Sequence, residues 1–258
     1  MVKLGEIMTT FSQANYDLHY PDSDGKPMAD NTEQYRWIVI IKENLEVLFA
    51  DVPDVFIAGD LLWYPVPSRI ISPVAPDVMV VFGRPKGKRG SYRQWQEANI
   101  TPRVVFEILS PSNTKEEMER KLEFYDTYGI EEYYVYDPES FQLEGWLRQE
   151  NHLTKLWQLN GWVSPRLGIR FETARGELEI YRPDGQRFLN SIEMQQRAAQ
   201  AEQLLQQESQ RAAQAEQLLQ QESQRAAQAE QLLRQESQRA DRMAEYLRSL
   251  GIDPNNLP

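Results

Sequence analysis

The 258-residue chain has no cysteine and only two histidines, His19 and His152. Without cysteine there is no disulfide framework, thiolate zinc site or cysteine nucleophile, and two histidines cannot furnish a multi-histidine metal centre. Any metal must be held by oxygen. Long apolar runs are also missing: stretches such as Trp37–Ile41 and Val78–Phe82 are short, whereas a bilayer span needs ~20 residues. Met1 to Thr10 has no long apolar segment, so it does not read as a secretory signal. The expectation is a soluble protein of a reducing cytoplasm. Cations are outnumbered, with 28 Lys plus Arg against 39 Asp plus Glu and a net charge of -11. That balance argues against sequence-independent coating of nucleic acid and leaves a local basic groove open.

Composition changes abruptly near Asn190, because Ser191 to Leu250 holds neither proline nor glycine. Arg197 to Gln210 reads RAAQAEQLLQQESQ, Arg211 to Gln224 repeats it, and Arg225 to Gln238 differs only at Arg234. The period is two heptads. Placing Ala198, Leu205, Ala212, Leu219, Ala226, Leu233, Ala240 and Leu247 at position a leaves d alternating between Ala201, Ala215, Ala229 and Glu208, Glu222, Glu236. This predicts an imperfect coiled coil, roughly 90 Å long if continuous, that joins copies of the chain as a homo-oligomer. A solvated single helix is the alternative. The organisation expected is an N-terminal extension (1–30), a globular domain (31–190), the repeat helix (191–250) and a short tail (251–258).

The globular part reads as mixed α and β. Thr32 to Ala50 has helical apolar spacing behind Asn31 or Thr32 as N-cap. Val55–Tyr64, Asp77–Phe82 and Arg103–Leu109 read as strands bounded by Pro and Gly. Thr114 to Glu117 is a capping-box pattern that opens a helix ending at Gly129. Glu132–Tyr136 is the next strand, and Gln142–Leu147, Leu153–Gln158, Ile169–Glu172 and Leu178–Tyr181 are short antiparallel pieces, with a turn at Asp184-Gly185. The order is αβββαβ followed by β extensions.

Two carboxylates stand where strand interiors should be apolar. Asp77 opens a strand after Pro76, and Glu107 is flanked by Phe106 and Ile108. Such groups survive burial when they share a cation, and two on adjacent strands suit Mg²⁺ or Mn²⁺. The alternative is structural, with Asp77 bonded to backbone amides and Glu107 paired with an arginine. On the following helix, Lys121 shares an azimuth with Tyr125 and Tyr128, which would turn it toward the sheet. It serves either to stabilise charge on a phosphate or as a surface lysine paired with Glu117. Between the two acidic strands, Lys86, Lys88, Arg89, Tyr92 and Arg93 form a basic, aromatic-bearing loop. It fits phosphate contact and base stacking, or else a solvated loop anchored by Trp95.

Pro76-Asp77, Phe106-Glu107-Ile108-Leu109-Ser110-Pro111-Ser112, Lys121 with Tyr125, Gly129-Ile130 and Glu132 to Pro138 together resemble the restriction endonuclease family abundant in cyanobacteria, of PD-(D/E)XK fold. The resemblance covers about residues 30 to 185. It implies a restriction-endonuclease-like αβββαβ core with a mixed central sheet and extra antiparallel strands. Asp77 and Glu107 match the family's acidic positions, while Leu109 occupies the usual lysine position and Lys121 takes the lysine's role from the next helix. Glu33 matches an additional acidic residue on the first helix. The implied activity is metal-dependent cleavage of nucleic acid, DNA foremost, with Asp77, Glu107 and the Ile108 carbonyl as metal ligands. A second reading is a catalytically silent nuclease fold that serves as a coiled-coil scaffold.

Overall fold

The computed structural model describes residues 20–251 apart from 24, 26, 69 and 175. Most of the expected N-terminal extension, His19 included, and nearly all of the C-terminal tail lie outside the described residues. The chain divides into two units, Met1–Glu193 and Met194–Pro258. No helix among the described residues is long and apolar enough to cross a membrane.

In the first unit, α1 (Thr32–Leu48) starts where the Asn31 side chain accepts a hydrogen bond from the Gln34 N–H. Such a cap satisfies one of the helix's orphan donors. Strands β1 (Val55–Gly59), β2 (Trp63–Tyr64), β3 (Val78–Phe82), β4 (Tyr92–Arg93) and β5 (Val104–Ile108) follow. Next come α2 (Lys115–Thr127), β6 (Glu132–Asp137), β7 (Gln142–Gln149), β8 (His152–Lys155), β9 (Arg170–Glu172) and β10 (Glu179–Tyr181). Thr114 caps α2 by accepting from the Glu117 N–H, and Gly129 ends the turn with φ +84°, a conformation that costs glycine nothing.

Six strands form one sheet in the order β1-β3-β5-β6-β7-β8. Only β5 and β6 run parallel, and α2 makes the crossover between them. β2 and β4 pair in parallel, and β9 and β10 antiparallel, as two small ribbons. The sequence suggested one strand over Val55–Tyr64. Asp60, at φ 48°, breaks it, and Trp63-Tyr64 leaves the large sheet to pair with β4.

The central strands are apolar on both faces because both faces are covered. Val78, Val80, Val104, Phe106 and Ile108 pack with Trp37, Ile38 and Ile41 of α1 and with Phe171 and Ile180 of the β9–β10 ribbon. Met79, Val81, Val105, Tyr133 and Val135 pack with Tyr125 on the α2 side. The β3 and β5 ends thus come between two helices, and only a side chain with a partner is tolerated there.

The long helix α3 (Ser191–Ser249) opens on a reciprocal cap, in which the Glu193 N–H donates to the Asn190 side chain and the Asn190 N–H to Glu193. It has no buried residue.

Candidate functional site

β3 and β5 pair antiparallel with Val78 opposite Phe106, so the next step sets Asp77 opposite Glu107. Glu107 shares the parity of Val105 on β5 and therefore points toward α2. There Lys121 Nζ donates to Glu107 Oε2 at 2.8 Å, and the Tyr125 hydroxyl makes a short hydrogen bond to Oε1. Lys121 and Tyr125 are one helical turn apart, which lets one helix face engage both carboxylate oxygens. Lys121 does not pair with Glu117 at salt-bridge distance. Asp77 Oδ2 accepts the Ile108 N–H at 2.6 Å. The strand carrying Glu107 thus also fixes its acidic partner.

Both carboxylates are nearly inaccessible, Asp77 at 7 % and Glu107 at 2 % exposure. Burial pushes the Asp77 carboxyl well above the usual carboxylate range, and the neighbouring Glu107 charge pushes it further. Burial works against a charged Lys121, but the charge and hydrogen bond of Glu107, with Asp77 and Glu117 beyond, outweigh it and hold the ammonium above its ordinary pKa. Burial and Glu107 also raise the Tyr125 hydroxyl, which keeps its proton and remains a donor. The site is therefore one protonated lysine facing two acids.

The first helix contributes a residue that sequence reasoning missed. Gln34 is 6 % exposed, donates from Nε2 to the Ile108 carbonyl at 3.0 Å and accepts the Asp30 N–H at Oε1. Glu33, expected as the additional acid, instead points outward and pairs with Arg36 at 3.0 Å. The signal was present in the pattern, since Gln34 lies at the centre of the stripe formed by Trp37, Ile38, Ile41 and Leu45, and Glu33 lies at its edge. Asp30 in turn takes the hydroxyls of Ser110 and Ser112. Replacing Gln34 by Ala leaves the Ile108 carbonyl without this donor. The expected cost is about 1–2 kcal/mol in urea unfolding; unchanged stability would contradict a bracing role for Gln34.

A cleft of about 1180 Å³ opens over these groups, lined among others by Gln34, Asp77, Arg120, Lys121, Phe124 and Ile70. Its lining holds five carboxylates, on Asp30, Asp60, Asp77, Glu117 and Glu123, against the two cations Arg120 and Lys121. Such a lining attracts cations more readily than anions. The donor set is hard oxygen, which suits Mg²⁺ or Mn²⁺ rather than a softer ion. Among the described residues no three His, Cys, Asp or Glu gather so as to hold an ion. Two carboxylates and a carbonyl are nevertheless compatible with Mg²⁺, which retains several waters. The Ile108 carbonyl keeps a second lone pair beyond the one that Gln34 takes.

The basic loop departs from expectation. Arg89 Nε pairs with Glu97 at 2.7 Å, and its guanidinium lies 3.9 Å from the Phe56 ring centre. Lys86 pairs with Glu46 at 3.0 Å, and Arg93 donates to the Tyr20 carbonyl at 2.8 Å and reaches Asp22. Tyr92 is fully buried, with its hydroxyl on the Ile100 carbonyl at 2.7 Å, so no base can stack on it. Of the five only Lys86 and Lys88 are exposed. None of the five lines the cleft. Acids remote in sequence neutralise the loop, a pairing that local composition does not reveal. His152 is likewise partnered, with Asp126 at 3.0 Å.

A mixed sheet between two helices, with an Asp–Glu pair at adjacent strand ends and a lysine from the crossover helix, defines an α/β protein with a carboxylate–lysine site. The chain matches the Uma2 family, described as "Putative restriction endonuclease", over residues 41–214. That is more than half of its length, and the chain belongs to this family. It is also similar to the crystal structure of "a putative nuclease belonging to DUF820" from Anabaena variabilis ATCC 29413, at 13% identity, with 55% of this chain and 78% of that chain covered and a TM-score of 0.41. No curated protein matches it.

Proposed function

We propose that this protein is a cytoplasmic, metal-dependent endonuclease that hydrolyses phosphodiester bonds of nucleic acid, with DNA as its first substrate. The observation that carries the reading is the cluster of Asp77, Glu107 and Lys121, from the start of β3, from β5 and from α2, of which Asp77 and Lys121 line a cleft with an excess of acidic side chains and Glu107 lies buried behind Lys121. A structural ion pair would need only Glu107 and Lys121. Asp77 does accept the Ile108 N–H, as a structural residue would, but a neutral asparagine could do so without the charge that costs energy beside Glu107.

Asp77, Glu107 and the Ile108 carbonyl would hold Mg²⁺ or Mn²⁺. When bound, such an ion supplies Lewis-acid polarisation of the phosphate and a more acidic water. Lys121, held protonated, places a fixed positive charge where charge grows on the phosphate oxygens. Tyr125 and Lys121 fix the Glu107 rotamer, while Asp77 takes the Ile108 N–H and Gln34 the Ile108 carbonyl. These groups are preorganised, so little reorientation is needed at the moment of reaction. The repeat helix is proposed to join copies of the chain, which suits cleavage of both strands by two sites.

The test is cleavage of supercoiled plasmid, single-stranded DNA and RNA with Mg²⁺ or Mn²⁺ by the native protein and by Glu107→Ala. Cutting by the native protein is expected, with a loss of at least 10²-fold in the variant. Equal cutting by both would discredit the site. Absence of cutting with every metal would return the chain to the silent-scaffold reading.

A further inference from the structure

The repeat helix carries an apolar stripe whose partner its own charges identify. α3 runs unbroken from Ser191 to Ser249, so its heptad positions trace one slowly winding stripe along the whole length, which a left-handed supercoil keeps against a partner. On the single chain Leu204, Leu205, Leu218, Leu219, Leu232 and Leu233 are 62–73 % exposed. With Leu205, Leu219 and Leu233 at a, the preceding leucines fall at g. In the alternate heptads g is Arg197, Arg211 or Arg225, and the residue five places later, at e, is Glu202, Glu216 or Glu230.

This pattern discriminates between the ways two such helices can pair. In a parallel, in-register pair, g of one strand faces e of the partner's next heptad. Each of the three arginines then meets a glutamate, three in each direction and six in all. The leucine pairs meet leucine pairs, and the intervening alanine layers let the backbones approach. In an antiparallel pair g faces g and e faces e, so arginine finds arginine, leucine or Tyr246, and glutamate finds glutamate, serine, Gln195 or Ala244, and neither meets an opposite charge. A parallel pair slipped by one heptad sets Arg211 against Ser209 or Ser223 and every leucine layer against an alanine layer. The in-register pair does place Glu208, Glu222 and Glu236 opposite their own copies at d. Those three like-charge layers stand against six attractive pairs and four leucine layers, the fourth at Leu247. Glu230 also holds Arg234 one turn on within its own chain, at 2.5 Å, and its second oxygen remains for the partner.

We infer that α3 binds α3 of a second copy of this chain as a parallel, in-register, two-stranded coiled coil. The inference rests on the reading of the repeat helix as a pairing surface and is independent of the nuclease reading. The absence of native cysteine makes the test clean, because one introduced thiol is the only thiol. The full chain carrying Ala212→Cys or Leu233→Cys, both at a, is oxidised mildly beside Gln203→Cys, an outward f position. Each a variant alone is expected to convert mostly to a disulfide-linked dimer, at least tenfold faster than the f variant, and sedimentation equilibrium of the native chain should give the mass of two chains. Cross-linking only when Ala212→Cys is mixed with Ala229→Cys, at d, would overturn the parallel orientation. A dimer whose a variants fail to cross-link would overturn the register. A mass of three or four chains would overturn the strand number. A mass of one chain at all micromolar concentrations would overturn the pairing itself.

Discussion

Asp77→Asn should produce a protein that is more stable without metal and inactive with it. The Asp77 carboxyl is buried beside Glu107, and both burial and that charge disfavour its ionised form. Asparagine keeps an oxygen for the Ile108 N–H and removes the charge, so the ion-free variant is expected to gain about 1–3 kcal/mol at neutral pH. The pH dependence has a definite sign. A raised carboxyl binds its proton more tightly in the folded state, so this contribution is full below the ordinary aspartate pKa and is lost as pH rises through the raised value, by at most about 1.4 kcal/mol per pH unit. That slope should vanish in Asp77→Asn. Mn²⁺ should stabilise the native protein by roughly 2.7 kcal/mol at a hundred times its dissociation constant, and the variant much less. Thermal unfolding with EDTA and with Mn²⁺ reads both effects. A variant less stable than the native protein in EDTA would refute the strain at Asp77, and an undiminished Mn²⁺ shift would refute its place among the ligands.

The second large effect concerns the relocated lysine. Lys121→Ala is expected to lower cleavage by about 10²–10³-fold, the usual loss when a fixed charge is taken from a developing oxyanion. Leu109 lies two residues after Glu107, on the same face of the strand line, and packs against the cluster beneath α2. A lysine there would extend toward the same carboxylate from the position the wider superfamily uses. Lys121→Ala with Leu109→Lys should therefore regain about tenfold of the lost rate, whereas Leu109→Lys alone should gain nothing. Full activity in Lys121→Ala would leave the lysine as a structural counterion of Glu107. Urea unfolding of each variant separates the two roles, since a counterion acts on stability while a charge aimed at the phosphate acts on the cleavage rate.

Much of this site was legible because its residues break local rules. Asp77 and Glu107 interrupt apolar strands, and Lys121 keeps helical register with Tyr125, so each stands out from its neighbours. Gln34 broke the same rule, as a polar residue at the centre of an apolar stripe, yet a neutral side chain signals less than an acid and Glu33 beside it drew the assignment. The basic loop misled for the opposite reason. Arg89, Arg93 and Lys86 look unpaired along the chain because Glu97, Asp22 and Glu46 lie 8 to 71 residues away.

The sequence by itself determined the two helices of the globular unit, the central strands and the long repeat helix. Their signals are local: caps at Asn31 and Thr114, glycine at 129, and apolar spacing over a few residues. It also excluded any thiolate metal site, since the chain has no cysteine. Only the tertiary structure decided that Gln34 rather than Glu33 turns inward, that Tyr92 is core rather than a stacking platform, and that Val55–Tyr64 splits at Asp60 to build a second ribbon. Each of those outcomes depends on which distant surface a residue meets. One step along a helix turns a side chain by about 100°, and whether that direction is core or solvent is set by the sheet packed against it.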